Sequence, residues 1–172
     1  MKFYEQLPLS SEQPCFRLLQ FDLNCGEDVL RGQADTYDLN DPCDIDYEAL
    51  SYCWGEPNSS ESVIINGETI PLSNHLCGAL HQFCSVQRET GVAGKLWIDA
   101  ICINQRDNAE KSHQVMLMRN IYANAKRVFS WIGEPDELSP LAFDTLRQFS
   151  IDDDTKDGSA TCRELQGELD ER

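Results

Sequence analysis

Leu96-Trp-Ile-Asp-Ala-Ile-Cys-Ile-Asn-Gln105, followed at once by Arg106-Asp107-Asn-Ala-Glu110, is the stretch on which the fold turns. From Leu96 to Ile103 seven of eight residues are apolar, the pattern of a strand buried on both faces. Asp107 with Glu110 three residues later forms a capping-box pattern, and Val115, Met118, Ile121, Tyr122 and Ala125 then recur on one stripe. The spacing predicts a helix over 108–125 directly after the strand.

The same alternation extends both ways. Upstream, Cys15 to Phe21 and Tyr47 to Trp54 read as strands, the second ended by Gly55, Glu56 and Pro57. Between Val63, Ile64, Ile65 and Ile70 stands Asn66-Gly67, which predicts a hairpin over 62–72. Leu76, Ala79, Leu80, Phe83, Cys84 and Gln87 fall at helical spacing, with Ser73 or Asn74 as cap, for a helix over 75–88. Downstream, Arg127 to Ile132 reads as a strand, and Ser139 with Pro140 opens a helix to Phe149, with Ala142, Leu146 and Phe149 inward. Helices alternating with buried strands argue an α/β fold of three layers, a mostly parallel sheet flanked by helices, with an added β-hairpin.

Composition narrows the class. The 172 residues, 41% hydrophobic and 26% charged, suit one ordinary domain. Its formal charge of -16 repels nucleic acid, which is excluded as a primary partner. No apolar stretch approaches the roughly 18 to 20 residues that span a bilayer, and the N-terminus lacks the apolar core of a signal peptide. The expected location is cytoplasmic.

The eight cysteines include no CxxC pair and several lie in apolar runs, so free thiols are expected. Cys77, His81 and Cys84 share one helix flank, but no fourth ligand is near and no metal site is assigned. Residues 22 to 61 carry eleven acids and one Arg and read as a solvated acidic loop. Asp38, Asp41, Asp44 and Asp46 lack the central Gly and terminal Glu of an EF-hand. Residues 152 to 172 hold eight acids and three bases with few large apolar groups. The expected organisation is a domain over 1–150 and an acidic linker or tail over 151–172 leading to further C-terminal regions.

Three motifs carry a resemblance. Tyr47-Glu-Ala-Leu-Ser-Tyr-Cys-Trp-Gly55 is one, and Leu96 to Gln105 with Asp107, Glu110, Gln114 and Met118 is another. Ile121-Tyr-Ala-Asn-Ala125 leading into Val128-Phe-Ser-Trp-Ile-Gly133 is the third. In this order, over about residues 45 to 134, they resemble the fungal heterokaryon-incompatibility (HET) domain, with Cys53 and Ile101 as small departures. The resemblance implies an intracellular fungal protein whose domain triggers programmed cell death after non-self recognition. It also implies self-association or a non-self-sensing protein partner. HET domains are distantly similar to Toll/interleukin-1 receptor (TIR) domains, some of which hydrolyse NAD, so the expected sheet is TIR- or flavodoxin-like and NAD is a candidate substrate. No cofactor is implied.

Residue chemistry locates a site independently. In an open α/β sheet ligands collect at the carboxyl ends of strands. Asp99, Asn104, Gln105, Asp107 and Glu110 crowd the end of one strand and the first turn of the next helix. With Ser51 and Trp54 of the first motif, Asp99, Asn104, Gln105 and Asp107 are candidate substrate-binding residues. Asp99, a carboxylate in an apolar run, needs a partner, and a structural acceptor of backbone, Ser or Trp donors is its simpler role. Trp54 and Trp97 read as core rather than stacking platforms.

Glu110 is the candidate catalytic residue. It has two roles open to it, a reciprocal capping-box member or a carboxylate stabilising positive charge as the nicotinamide–ribose bond breaks. No GxGxxG, no GxxxxGK[ST] and no paired nucleophile motif occurs. A domain cleaving NAD and a non-enzymatic signalling or self-association module both remain open.

Overall fold

A computed structural model describes residues 2–10, 12–24, 29–41, 45–55, 57–134, 136–137 and 139–145. The elements in chain order are α1 (Lys2–Gln6), β1 (Cys15–Phe21), β2 (Arg31–Asp38), β3 (Tyr47–Tyr52), β4 (Pro57–Ile65) and β5 (Glu68–Ser73). They continue with α2 (Asn74–Thr90), β6 (Lys95–Trp97), α3 (Asp99–Cys102), α4 (Asn108–Asn124) and β7 (Arg127–Trp131). The chain divides into a unit ending at Gly133 and a second beginning at Glu134. In the second, residues 139–145 are helical, and Asp136 rather than Ser139 caps them, its Oδ1 accepting the Ser139 N–H while Ser139 Oγ accepts the Asp136 N–H. Leu146, Phe149 and the expected tail over 151–172 lie outside the described residues.

The seven strands form one sheet in the order β5-β4-β2-β1-β6-β3-β7. It is mixed. Three neighbouring pairs are parallel (β2 with β4, β3 with β6, β3 with β7) and three antiparallel (β1 with β2, β1 with β6, β4 with β5). Instead of the expected mostly parallel sheet, successive parallel pairs occur in the run β6-β3-β7, with β2–β4 a separate parallel pair. β4 and β5 turn at Asn66 (φ 51°) and Gly67 (φ 81°), positive angles that this dipeptide tolerates, and they form the end of the main sheet rather than an appendage.

Register shows how the helices are distributed. Trp97 pairs with Ala49 and its ring meets Tyr122 of α4, whereas Leu50 pairs with Phe129, whose ring meets Phe83 of α2. Successive side chains on a strand point to opposite faces, so α2 and α4 cover opposite faces of the β6-β3-β7 run.

α2 behaves as its pattern demands. Leu76, Ala79, Leu80, Phe83, Cys84 and Gln87 are all buried, Ser73 Oγ accepts the Leu76 N–H, and Gly91 closes the helix at φ 69°. α4 departs from its pattern: Val115 is exposed, and Gln114 with Ile121 supplies the buried positions while Met118, Tyr122 and Ala125 are partly buried. Gln114 turns inward because its Nε2 donates to the Cys15 carbonyl at 2.8 Å.

Two expectations need correction. The run Leu96 to Ile103 is not one strand: β6 ends at Trp97, and Asp99–Cys102 forms the single turn α3, with Cys102 N–H bonded to Ile98 O. A fully apolar run satisfies a buried turn as well as a buried strand. β6 is nonetheless interior, between β1 and β3. Part of the acidic stretch read as loop is β2, whose seven residue pairs with β1 run from Cys15↔Asp38 to Phe21↔Gly32.

Among the described residues no helix is long and apolar enough to cross a membrane.

Candidate functional site

β3 and β6 are adjacent parallel strands, and the next long helices, α2 after β3 and α4 after β6, lie on opposite faces of the sheet. In an open α/β sheet ligands collect outside the carboxyl ends of two such strands, at a topological switch point. The segments leaving it are Tyr52-Cys53-Trp54 and Ile98-Asp99.

A hydrogen bond spans that point. Trp54 Nε1 donates to Asp99 Oδ2 at 2.9 Å, and the Ala100 N–H donates to Asp99 Oδ1 at 2.7 Å. Trp54 is 57% exposed, which overturns its assignment to the core. Trp54 follows the end of β3, and one hydrogen bond fixes its indole. Trp97 is fully buried as expected, its Nε1 without a partner among the described residues.

Burial raises the Asp99 carboxyl above its ordinary value, against the lowering effect of the Trp54 and Ala100 N–H groups. Asp99 in turn helps to raise the phenols of Tyr52 and Tyr122, chiefly raised by their own burial. A carboxyl group thus stands among Tyr52, Trp54 and Tyr122, with Gln105 Nε2 donating to its main-chain oxygen at 2.9 Å and Gln105 Oε1 buried without a partner among the described residues.

The other candidates form a second group. Asp107 is the N-cap of α4, its Oδ1 accepting from Ala109 and Glu110 N–H. Asn104 Oδ1 accepts the Arg106 N–H within the same turn. Glu110 does not reach back to the Asp107 N–H as a capping box requires. Its Oε1 accepts from Asn104 N–H at 2.7 Å, and both its oxygens accept from the Arg17 guanidinium, at 2.6 and 3.1 Å. Ser51 is exposed in β3 opposite Ser130 and belongs to neither group.

Arg17, which was not among the candidates, is the centre of this second group. It is completely buried, donates from Nε to Leu7 O and from Nη1 to Cys102 O, and lies 4.9 Å from the centre of the Tyr4 ring. Tyr4 Oη bonds the Ile101 and Ile103 carbonyls, and burial raises its phenol to about 12. Because β1 runs antiparallel to β6, its first residues stand at the carboxyl end of β6. The signal available in the sequence was a lone cation inside CFRLLQF, the counterpart of the lone carboxylate at Asp99.

In chemical terms the carboxyl ends of β3 and β6 offer one carboxyl group beside an exposed indole, whereas the Glu110 charge is already balanced by a resident cation. Among the described residues no cluster of three or more His, Cys, Asp or Glu side chains is placed to hold a metal.

No solved structure matches the chain. A family model described as heterokaryon incompatibility protein (HET) matches residues 47–170. The curated heterokaryon incompatibility protein 6, OR allele, of Neurospora crassa is 34% identical over 157 residues, covering 84% of this chain and 22% of that protein. The chain thus spans about a fifth of the length of this relative. With the three motifs on β3, β6 to α4, and β7 of one sheet, and the family model running through all of them, the chain belongs to the heterokaryon incompatibility (HET) family.

Proposed function

We propose that this chain is an effector domain of fungal non-self recognition, acting in the cytoplasm to trigger cell death by hydrolysing NAD at the switch point between β3 and β6. The observation that carries the reading is the Trp54–Asp99 pair at that point, a carboxyl group beside an exposed indole. An aromatic platform suits a flat cationic ring such as nicotinamide, and a carboxylate in a partly desolvated place stabilises the positive charge left on ribose as the bond breaks. A TIR- or flavodoxin-like affinity is supported by the run β6-β3-β7 with helices on both faces; the antiparallel β1 is foreign to it.

The carboxylate that meets the substrate is Asp99 in this reading. Glu110, the first choice from sequence, takes that role only if Arg17 releases it, since a paired carboxylate has little field left for a second cation. Gln105 supports Asp99 through its Nε2 bond to the Asp99 main-chain oxygen, while Asn104 and Asp107 shape the turn.

The pairing of Glu110 favours a second reading, a non-enzymatic module that self-associates or binds a sensing partner. Exposed Val115 and Met116 on α4 and Val128 and Ile132 at edge strand β7 supply apolar surface for it. The test is NAD consumption by the purified chain clustered on an oligomerising fusion. Asp99→Asn should lower the rate by about a hundredfold or more with the fold intact. A clustered chain that kills without consuming NAD, and loses killing on Met116→Lys, establishes the module instead.

A further inference from the structure

A cavity of about 400 Å³ lies at the other end of the sheet, lined among others by Phe21, Asp22, Leu23, Gln87, Arg88 and Gly91. Gln20 pairs with Lys95 at the start of β6, so Phe21 and the residues after it stand beside the amino end of the parallel strands, away from Trp54 and Asp99. The volume is that of small-molecule sites, which run to about 300 to 1,000 Å³.

Two of its lining residues carry buried polar atoms with no partner among the described residues. Gln87 is 5% exposed, and its Oε1 is one of them. Arg88 Nε is spent on the Leu23 carbonyl at 3.1 Å, and its Nη2 is the other. An unpaired buried acceptor and an unpaired buried donor each carry an uncompensated desolvation cost, so adjacent residues that both hold one lack a common complement. Gln87 Nε2 lies over Gly94, where an added β-carbon would come within 2.7 Å of it.

Charge decides what the complement is. An anion would satisfy Arg88 but face Asp22, the unpaired Gln87 oxygen and the carboxyl-terminal end of α2, where the helix dipole is negative. An organic cation would satisfy Gln87 but meet the Arg88 guanidinium. A group with one N–H and one C=O side by side satisfies both, and Phe21 and Leu23 supply apolar wall for the rest of the molecule. The geometry points to this cavity as a binding site for a small neutral molecule that presents an amide edge, its N–H to Gln87 and its C=O to Arg88.

The test is an isosteric series on the isotope-labelled 172-residue chain, with benzamide, benzoate and benzylammonium followed by the backbone amide resonances of Gln87, Arg88 and Gly91. Benzamide should shift all three saturably, with a dissociation constant at least tenfold below those of the two ions. Gln87→Met, which keeps length and removes the acceptor, should weaken benzamide tenfold, and Arg88→Lys should weaken it while leaving the fold. The series on the unaltered chain decides even where a variant fails to fold. Benzoate or benzylammonium binding as tightly as benzamide overturns the proposal, and so does the lack of a saturable shift up to the solubility limit of benzamide.

Discussion

Arg17 and Glu110, 93 residues apart in the chain, meet in a two-pronged ion pair at 2.6 and 3.1 Å, with the Arg17 side chain fully buried and that of Glu110 only 11% exposed. The pair joins β1 to the first turn of α4, and further guanidinium N–H groups reach the carbonyls of Leu7, just after α1, and of Cys102 in α3. A capping residue at the surface holds one helix end, whereas this pair holds β1, α3, α4 and the segment after α1. It also explains why the 103–107 turn is fixed at the edge of the switch point.

Breaking such a pair by removing one charge leaves the other buried and uncompensated, at a cost of about 3 to 5 kcal/mol. Glu110→Gln should therefore lose about 3 kcal/mol in urea unfolding, against the less than about 1 kcal/mol expected of a capping-box member for which Gln is a natural substitute. The double change Arg17→Met with Glu110→Met should cost less than the two single changes added, by at least about 1 kcal/mol. Additive losses would show that the two side chains do not depend on each other.

Asn66 is both a turn residue and a staple. Its Oδ1 accepts the Ala34 N–H at 3.0 Å and its Nδ2 donates to the Ala34 carbonyl at 3.2 Å, holding the hairpin to β2 where the β2–β4 ladder has only two residue pairs. Asn66→Gly keeps the positive φ and removes both bonds, so the expected loss is about 1 to 3 kcal/mol. Amide exchange should accelerate in β4 and β5 more than in β3 or β6. Uniform acceleration would mean the hairpin does not open by itself.

What was legible in the sequence was what local patterns decide. Asn66-Gly67 specifies its turn because both residues tolerate positive φ, and the α2 stripe specifies its buried face because one period of 3.6 fits six apolar or packed positions. The short strand Lys95–Trp97 and the turn Asp99–Cys102 could not be separated by the same means, since both are buried and neither shows a period. Strand β2 is hidden for the opposite reason. Arg31-Gly-Gln-Ala-Asp-Thr-Tyr-Asp38 is polar, and its place is decided by the ladder on β1 rather than by its own propensity. Of the site, Asp99 was legible as a carboxylate that must find a partner. Arg17 was not singled out, because its value lies in contacts 85 to 93 residues away.

Burial separates the thiols. Desolvation raises Cys77, whose Sγ donates to Glu61, and fully buried Cys102 to about 12, so at pH 8 both remain thiols. Cys53 is exposed. Iodoacetamide should therefore label Cys53 in the native chain and leave Cys77, Cys84 and Cys102 until denaturant is added, with every cysteine then reacting without prior reduction. Native labelling of Cys102 at the rate of Cys53 would contradict the buried setting of α3.

The Asp99 carboxyl gives the switch point a pH signature whose sign is fixed by its raised value. A carboxyl that holds its proton more tightly folded than unfolded favours the fold at low pH. As pH rises from the ordinary 3.8 through the folded value, that advantage is lost, and above the window the full desolvation penalty of the carboxylate remains. Asp99→Asn has no such penalty, so its melting temperature relative to the unaltered chain should be higher at pH 7 than at pH 3.5, whatever constant difference the lost acceptor introduces. Trp54→Phe removes the indole N–H, the first of the groups that pull the carboxyl down, and should therefore raise the Asp99 titration midpoint further, read directly from its carboxyl carbon resonance. A difference between Asp99→Asn and the unaltered chain that stays flat across this range, or a midpoint that falls in Trp54→Phe, would mean that the carboxyl is neither buried nor held by the indole. The switch point would then lose the group on which its chemistry depends.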